Sequence, residues 1–369
     1  MKIKIVVVII ISGVFLTFWF TRKTLSSNIN KTPPSKILLK NYRPNNIYNI
    51  PKTIVNRAKF PVIDMHSHTY AKTPEMVDRW VKNMDEVGVE KTIILSYATG
   101  TKFDSIYNFY VGRYPERFEV WCGFDYTGYD KPGFGPAAVA ELERCYKAGA
   151  KGVGELGDKG KGLFYSDGVK AWGMHPDDSR MDALFEKCAE LNMPVNIHVA
   201  EPIWMYQPMD STNDGLMNAF EYRLDNQEGI IDNPGMLTIL ENTIKKHPKT
   251  TFIACHFANQ TYDLEKIGRL LDLYPNLYID ISGRFAEFGT IPRTTSKFIT
   301  KHQNKVLYGT DSGFATEIYK ITFRILETND EHFYEIDWFN YHWALYGLGL
   351  TDVVLKKVYR SNALKLLKK

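Results

Sequence analysis

The chain has 369 residues, of which 44% are hydrophobic, 14% aromatic and 24% charged, a globular composition with enough apolar mass for a large core. The formal charge of +4 is unevenly placed: residues 1–60 carry eleven Lys and Arg and no Asp or Glu, which leaves 35 basic against 42 acidic residues, net −7, on the remainder. That body excludes nucleic acid as the partner, because a nucleic-acid-binding fold carries its basic surface on the fold itself.

The first element is an apolar run from Ile5 to Phe20, preceded by Lys2 and Lys4. A charged start followed by such a run is an export signal or a signal anchor, assigned to residues 1–23. As a helix the run spans about 24 Å, short of the ~30 Å hydrocarbon core, with Trp19, Arg22 and Lys23 placed to sit at the interface. No A-x-A cleavage site follows, which favours an uncleaved membrane anchor through residues 5–20 and an exported or envelope-anchored protein of bacterial type. Residues 24–58 are rich in Asn, Pro, Lys and Ser and read as a basic tether.

From residue 59 a strand–helix rhythm begins and runs to residue 369. Short, apolar, β-branched strands are expected at 60–66, 91–96, 118–124, 150–155, 194–199, 251–257, 277–282 and 305–310. Helical patterns lie between them at 74–87 and near 103–114, 136–148, 178–191, 234–247, 262–274 and 292–302. Short C-terminal helices are expected near 338–346, 351–359 and 361–368. Eight strands alternating with helices make an α/β protein of the (β/α)8 TIM-barrel class. The four cysteines (Cys122, Cys145, Cys188 and Cys255) have no CxxC spacing and read as buried free thiols.

Six metal-ligating side chains fall at or near the predicted strand ends: His66, His68, Glu155, His198, His256 and Asp311. A parallel barrel gathers its strand C-termini on one face, so these residues converge on one site. His66 and His68 are two apart on a strand and share a face, with Asp64 expected one step deeper on it. His198 closes VNIH, His256 closes FIACH and Asp311 closes KVLYGTD, where a carboxylate after an apolar strand needs a partner or a metal. Glu155, in KGVGELGDKGKG, ends the fourth strand. The other histidines read as structural or exposed; His175, in the 157–177 loop, is the one placed to reach a substrate. Substrate choice belongs to the loops after the strands. The longest of these holds Trp204 and Tyr206, which suit an aromatic lid.

Together, IDMHSH, IHVAE, ACHFAN, YIDIS, YGTDS and the closing SNALKLL resemble the amidohydrolase superfamily, specifically its amidohydrolase-related family, from about residue 60 to the end. The resemblance implies metal binding by His66, His68, His198 and Asp311, with His256 either binding a second metal or polarising substrate. Glu155 would be the fourth-strand bridging carboxylate of two-metal members, so one zinc ion or two are implied. It also implies a hydrolase of a small-molecule amide, ester or lactone, with Asp311 shuttling the proton of a metal-activated water and His256 serving the oxyanion. Decarboxylases of aromatic or unsaturated acids share the pattern, and Arg284, just past the seventh strand, would then clamp a carboxylate. A metal-stabilised, non-catalytic binding barrel is the third class. The sequence carries no mark of oligomeric state.

Overall fold

The computed structural model describes residues 32–367, in two compact units divided after Tyr42. The apolar run 5–20 lies outside the described residues. Among the described residues, no helix is long and apolar enough to cross a membrane. In the first unit, residues 32–42 form two short 3-10 turns, Pro34–Lys36 and Leu39–Asn41, without a buried side chain.

The second unit, from Arg43, holds eight strand–helix pairs. They are β1 (Val62–Ser67) and α1 (Pro74–Val87), β2 (Val89–Leu95) and α2 (Gly100–Tyr110), β3 (Phe118–Trp121) and α3 (Pro136–Lys147), and β4 (Val153–Asp158) and α4 (Asp182–Glu190). Then follow β5 (Val195–Val199) and α5 (Asn233–Lys246), β6 (Phe252–Ala254) and α6 (Leu264–Leu273), β7 (Leu277–Asp280) and α7 (Pro292–Lys301), and β8 (Val306–Leu307) and α8 (Thr316–Glu327). A two-strand excursion, Gly162–Leu163 with Ala171–Trp172, extends from β4.

Strands β1 to β3 pair in parallel, as do β4 to β8. Two seams join these sheets into a ring. Cys122 bridges in parallel to Val153, and the Gly154 N–H donates to the Cys122 carbonyl at 2.8 Å. On the other side Met65 N–H donates to Tyr308 O at 2.9 Å and Asp311 N–H to His66 O at 3.0 Å. The barrel therefore closes in chain order.

Local sequence explains the elements. In α1, the Thr73 side chain accepts from Met76 N–H, Pro74 takes the first turn, and Gly88 ends the helix at φ 89 with its N–H on Met84 O. The buried residues Val77, Trp80, Val81, Met84 and Val87 recur at helical spacing, so one stripe packs on the barrel. Inside the ring, Ile63, Met65, Ile93, Leu95, Trp121, Ile253 and Leu307 form an apolar plug with Ala363 and Leu366 of the C-terminal helix Asn362–Leu367. This plug lies on the strands ahead of the ligating residues and floors the site.

Two expectations are corrected and two are extended. The helix Thr316–Glu327 was not anticipated, although Ile318, Tyr319, Thr322, Phe323 and Leu326 form a buried helical stripe. The helix expected over 338–346 is a single turn, Ile336–Phe339, stopped by Asn340 in the left-handed conformation. The chain then runs extended so that Phe333 and Leu345 exchange both backbone hydrogen bonds, at 3.0 and 2.7 Å. Asp64 does not share the face of His66. The β1–β2 register shifts between Asp64 and Ser67, and the Asp64 carboxylate turns toward α8, accepting from Thr310 Oγ1 at 2.7 Å and Tyr319 OH at 3.3 Å. Residues 43–58, read as tether, lie along the barrel: Ala58 N–H donates to Val87 O, and Thr53 donates twice to the Asp330 carboxylate.

Candidate metal centre and cavity

The six ligating residues meet. Three of the four imidazoles are pinned through one nitrogen to a group that can only accept, which sets the tautomer, whereas His198 faces acceptors through both nitrogens. His66 Nδ1 donates to Asp280 Oδ2 at 2.9 Å, and His68 Nδ1 to Leu95 O at 2.8 Å. His256 Nδ1 donates to Ser282 O at 2.8 Å, and His198 lies 3.0 Å from Ala200 O through Nε2 and 2.6 Å from Glu155 Oε1 through Nδ1. In the neutral form, Nε2 of His66, His68 and His256 is therefore a bare lone pair. These three nitrogens and His198 Nδ1 point at two carboxylates, which are also acceptors. Glu155 Oε1 lies 2.6 Å from His198 Nδ1, 3.6 Å from His256 Nε2 and 4.0 Å from His66 Nε2. Asp311 Oδ1 lies 3.2 Å from His68 Nε2 and 3.9 Å from His66 Nε2.

Acceptors crowded against acceptors call for cations. His66 shows this most plainly. It is fully buried, and its Nε2 has no hydrogen-bond partner. Burial alone would lower the pKa of His66, but Asp280, Asp311 and Glu155 outweigh it and hold the ring up to about 10. Asp311 stays well below the usual carboxylate range because His66, His68 and His256 outweigh its burial. A proton answers this surplus of negative charge, and a divalent cation answers it with the donor set that zinc and related ions take. Two groups have every ligand atom within 4.8 Å of the others: His66, His68 and Asp311, and His66, Glu155, Cys255 and His256. The residues present fit a metal ion.

The supports of these ligands were only partly legible. Asp280 is buried at the end of β7 and accepts from His66 Nδ1, Asn196 Nδ2, the backbone N–H of His256 and of Ser282, and Ser282 Oγ. Its sequence signal was a carboxylate set between Ile279 and Ile281. Tyr70 OH donates to Asp311 Oδ1 at 2.9 Å, leaving Oδ2 toward His256. His256 is not at a strand end, since β6 stops at Ala254. It opens a left-handed turn, His256 to Asn259, with φ of 57, 55, 51 and 54°. The buried Asn259 side chain clasps this turn, donating to Val199 O at 2.9 Å and Ala200 O at 3.2 Å.

A cavity of about 460 Å³ opens above the centre. His68, Glu155, His198, His256 and Asp311 lie in its floor, and Lys159, Glu201, Arg284, Tyr97 and Tyr165 in its walls. Lys159 Nζ pairs with Glu201, which Arg284 Nη2 also approaches at 3.4 Å. Burial would raise the Glu201 pKa, but Lys159, His198 and Arg284 hold it down to about 2. Arg284 also donates through Nε and Nη2 to Asn259 Oδ1 and through Nη1 to Gly283 O, so most of its donors are committed to the fold. Trp204 and Tyr206 stand behind the wall: Trp204 packs edge-on against Tyr341 and Trp343, and Tyr206 OH accepts from Glu201 N–H at 3.2 Å. His175 does not line the cavity and pairs with Asp158 at 2.6 Å. Lys159, Tyr97 and Tyr165 carry no sequence signal beyond lying past strand ends, and Glu201 only its place in IHVAE.

The family model described as amidohydrolase matches residues 63–369. The chain belongs to the amidohydrolase family. Among solved structures, a putative amidohydrolase from Staphylococcus aureus is 17% identical at TM-score 0.55, covering 84% of this chain and 100% of that one. A 2,6-dihydroxybenzoate decarboxylase from Rhizobium is 15% identical at TM-score 0.52, covering 84% and 99%. A 5-carboxyvanillate decarboxylase from Novosphingobium aromaticivorans, complexed with manganese and 4-hydroxy-3-methoxy-5-nitrobenzoic acid, is 14% identical at TM-score 0.52, covering 86% and 99%. At these identities the likeness is one of fold. No curated protein matches the chain. The chain is thus an enzyme of the amidohydrolase superfamily, and the α/β TIM-barrel reading stands.

Proposed function

We propose that this amidohydrolase-family enzyme hydrolyses an amide, ester or lactone bond of a small molecule. The observation that carries this reading is the ring of four imidazoles, three of them with a bare nitrogen, around Glu155 and Asp311 at the floor of the cavity. His66, His68, His198, Glu155, His256 and Asp311 would hold the ion, with zinc the choice that imidazole favours. A divalent cation there supplies a charge that polarises a carbonyl and makes water a nucleophile near neutral pH. Asp311, with Oδ1 fixed by Tyr70, uses Oδ2 to take the proton of the attacking water and return it to the leaving group. His256 acts as a ligand and not as an oxyanion donor, because its one proton is engaged by Ser282 and burial keeps its pKa lowered.

Metal analysis of the purified protein beside a screen of esters, lactones, amides and benzoate-type acids tests this. Stoichiometric metal with chelator-sensitive hydrolysis is expected. Carbon dioxide release from an aromatic acid, with no hydrolysis, would replace it with a decarboxylase. Lys159 and Arg284 in the wall favour that second reading, since a substrate carboxylate needs such cations.

We also propose that residues 1–23 export or anchor the enzyme in a cell envelope, on the strength of the apolar run and the basic tether. Recovery of the full chain in the soluble cytoplasmic fraction would refute it.

A further inference from the structure

Cys255 has no part in the function proposed above, yet its sulfur belongs to the second ligand group. Cys255 Sγ, His66, Glu155 and His256 offer atoms all within 4.8 Å of one another, and all four residues are buried. The group stands on more than the thiol, because the fully buried His66 Nε2 is aimed into it without a hydrogen-bond partner. Neither Cys255 nor His66 lines the cavity. Glu155 and His256 do, as do two residues of the other group, His66, His68 and Asp311, which offers no sulfur.

The two groups differ in chemistry and in number of ligands, and they share His66. Four N, O and S ligands complete a tetrahedral set, as in a closed, structural-type site; three leave a position open. Thiolate selects soft cations, whereas carboxylate and imidazole accept harder ones. We propose that the centre contains a closed seat, made of Cys255, His66, Glu155 and His256, which takes a thiophilic divalent cation. Because His66 serves both seats, filling the closed one strips a ligand from the open one. This inference rests on the metal-centre reading above.

The hydrogen bonds define the step. Asp280 can only accept, so Asn196 turns its Nδ2 to Asp280 at 3.2 Å and must present Oδ1 to Cys255, whose Sγ donates to it at 2.7 Å. Without the cation Cys255 is therefore a neutral thiol. On binding, the S–H bond breaks, the proton leaves to solvent, and the sulfur electron pair forms the bond to the cation. No electron is transferred. A hard cation gains too little from sulfur to displace that proton, which gives the closed seat its selectivity.

Cadmium and manganese ions are the probes, used on the full chain. One equivalent of Cd²⁺ is expected to give a thiolate-to-metal charge-transfer band in wild type and in Cys122→Ser. The band is expected to vanish in Cys255→Ser, with Cd²⁺ affinity weakened by more than about tenfold. Bound Cd²⁺ is also expected to expel Mn²⁺, read from the Mn²⁺ paramagnetic resonance. Should Cys255→Ser fail to fold, the ¹¹³Cd resonance of wild type and Cys122→Ser decides, with a sulfur-shifted signal in both supporting the closed seat. Cd²⁺ bound without a thiolate band, a band that survives in Cys255→Ser, or Mn²⁺ retained beside Cd²⁺ would each overturn the inference while leaving the metal centre standing. Failure of both ions to bind would overturn the metal-centre reading as well.

Discussion

Replacing Asp280 by Asn keeps the volume but exchanges one acceptor oxygen for a donor at a point where five donors converge. Whichever way the amide turns, it faces N–H groups that have no other acceptor. Losing two hydrogen bonds to a charged group, at ~1.5–3 kcal/mol each, costs about 3–6 kcal/mol. The ionic contribution points the same way. Burial would raise the Asp280 pKa, but His66 and the other donors hold it down to about 2, so its carboxylate favours the folded state above its unfolded value of 3.8 and loses that contribution as pH falls toward 2. The elevated pKa of His66 describes the same pair and is not a separate gain. Asp280→Asn also releases the His66 ring, so metal affinity should fall by about 10–100-fold, the usual cost of losing the group that orients a ligand. Thermal unfolding of metal-free protein and titration with Zn²⁺ or Mn²⁺ measure the two effects separately. Wild-type metal affinity in a folded Asp280→Asn variant would refute the claim that Asp280 sets the His66 tautomer.

Asp311→Asn should abolish turnover on any substrate found and leave the thermal midpoint within a few degrees, while near-wild-type turnover at saturating metal would remove Asp311 from proton transfer. Asn259→Ala should destabilise the chain by about 1–3 kcal/mol, read from denaturant midpoints, because the left-handed turn loses the two hydrogen bonds that clasp it, at ~0.5–1.5 kcal/mol each. An unchanged midpoint would mean that the turn holds without it. His175 has its pKa raised above 6.5, first by its hydrogen bond to Asp158. The stability it adds is therefore full below pH 6.5 and lost as pH rises through its folded value. His175→Gln should flatten the stability–pH curve over that range, and an unaltered slope would show that the pair contributes nothing.

Much of the site was legible because of barrel geometry. His66, His68, Glu155, His198, His256 and Asp311 were readable as a set, since ligating side chains at the ends of apolar strands converge wherever parallel strands close. Trp204 and Tyr206 were not readable in the same way. A long loop places its aromatics by packing with distant segments, and Trp204 finds Tyr341 and Trp343 there. Asp64 misled because the period-2 rule assumes an unbroken ladder, and the β1–β2 register shifts beneath it.

Sequence alone determined the number of barrel strands, the side of the barrel that carries the chemistry and the types of ligand on it. These follow from local periodicity and from residues that apolar strands cannot otherwise accommodate. Tertiary structure decided which nitrogen each histidine presents, which carboxylate lies central, and that a thiol sits at the same centre. The reason is that tautomer and aim depend on hydrogen-bond partners brought together only by closure of the ring. His66 and Asp280, 214 positions apart in the chain, are one such pair.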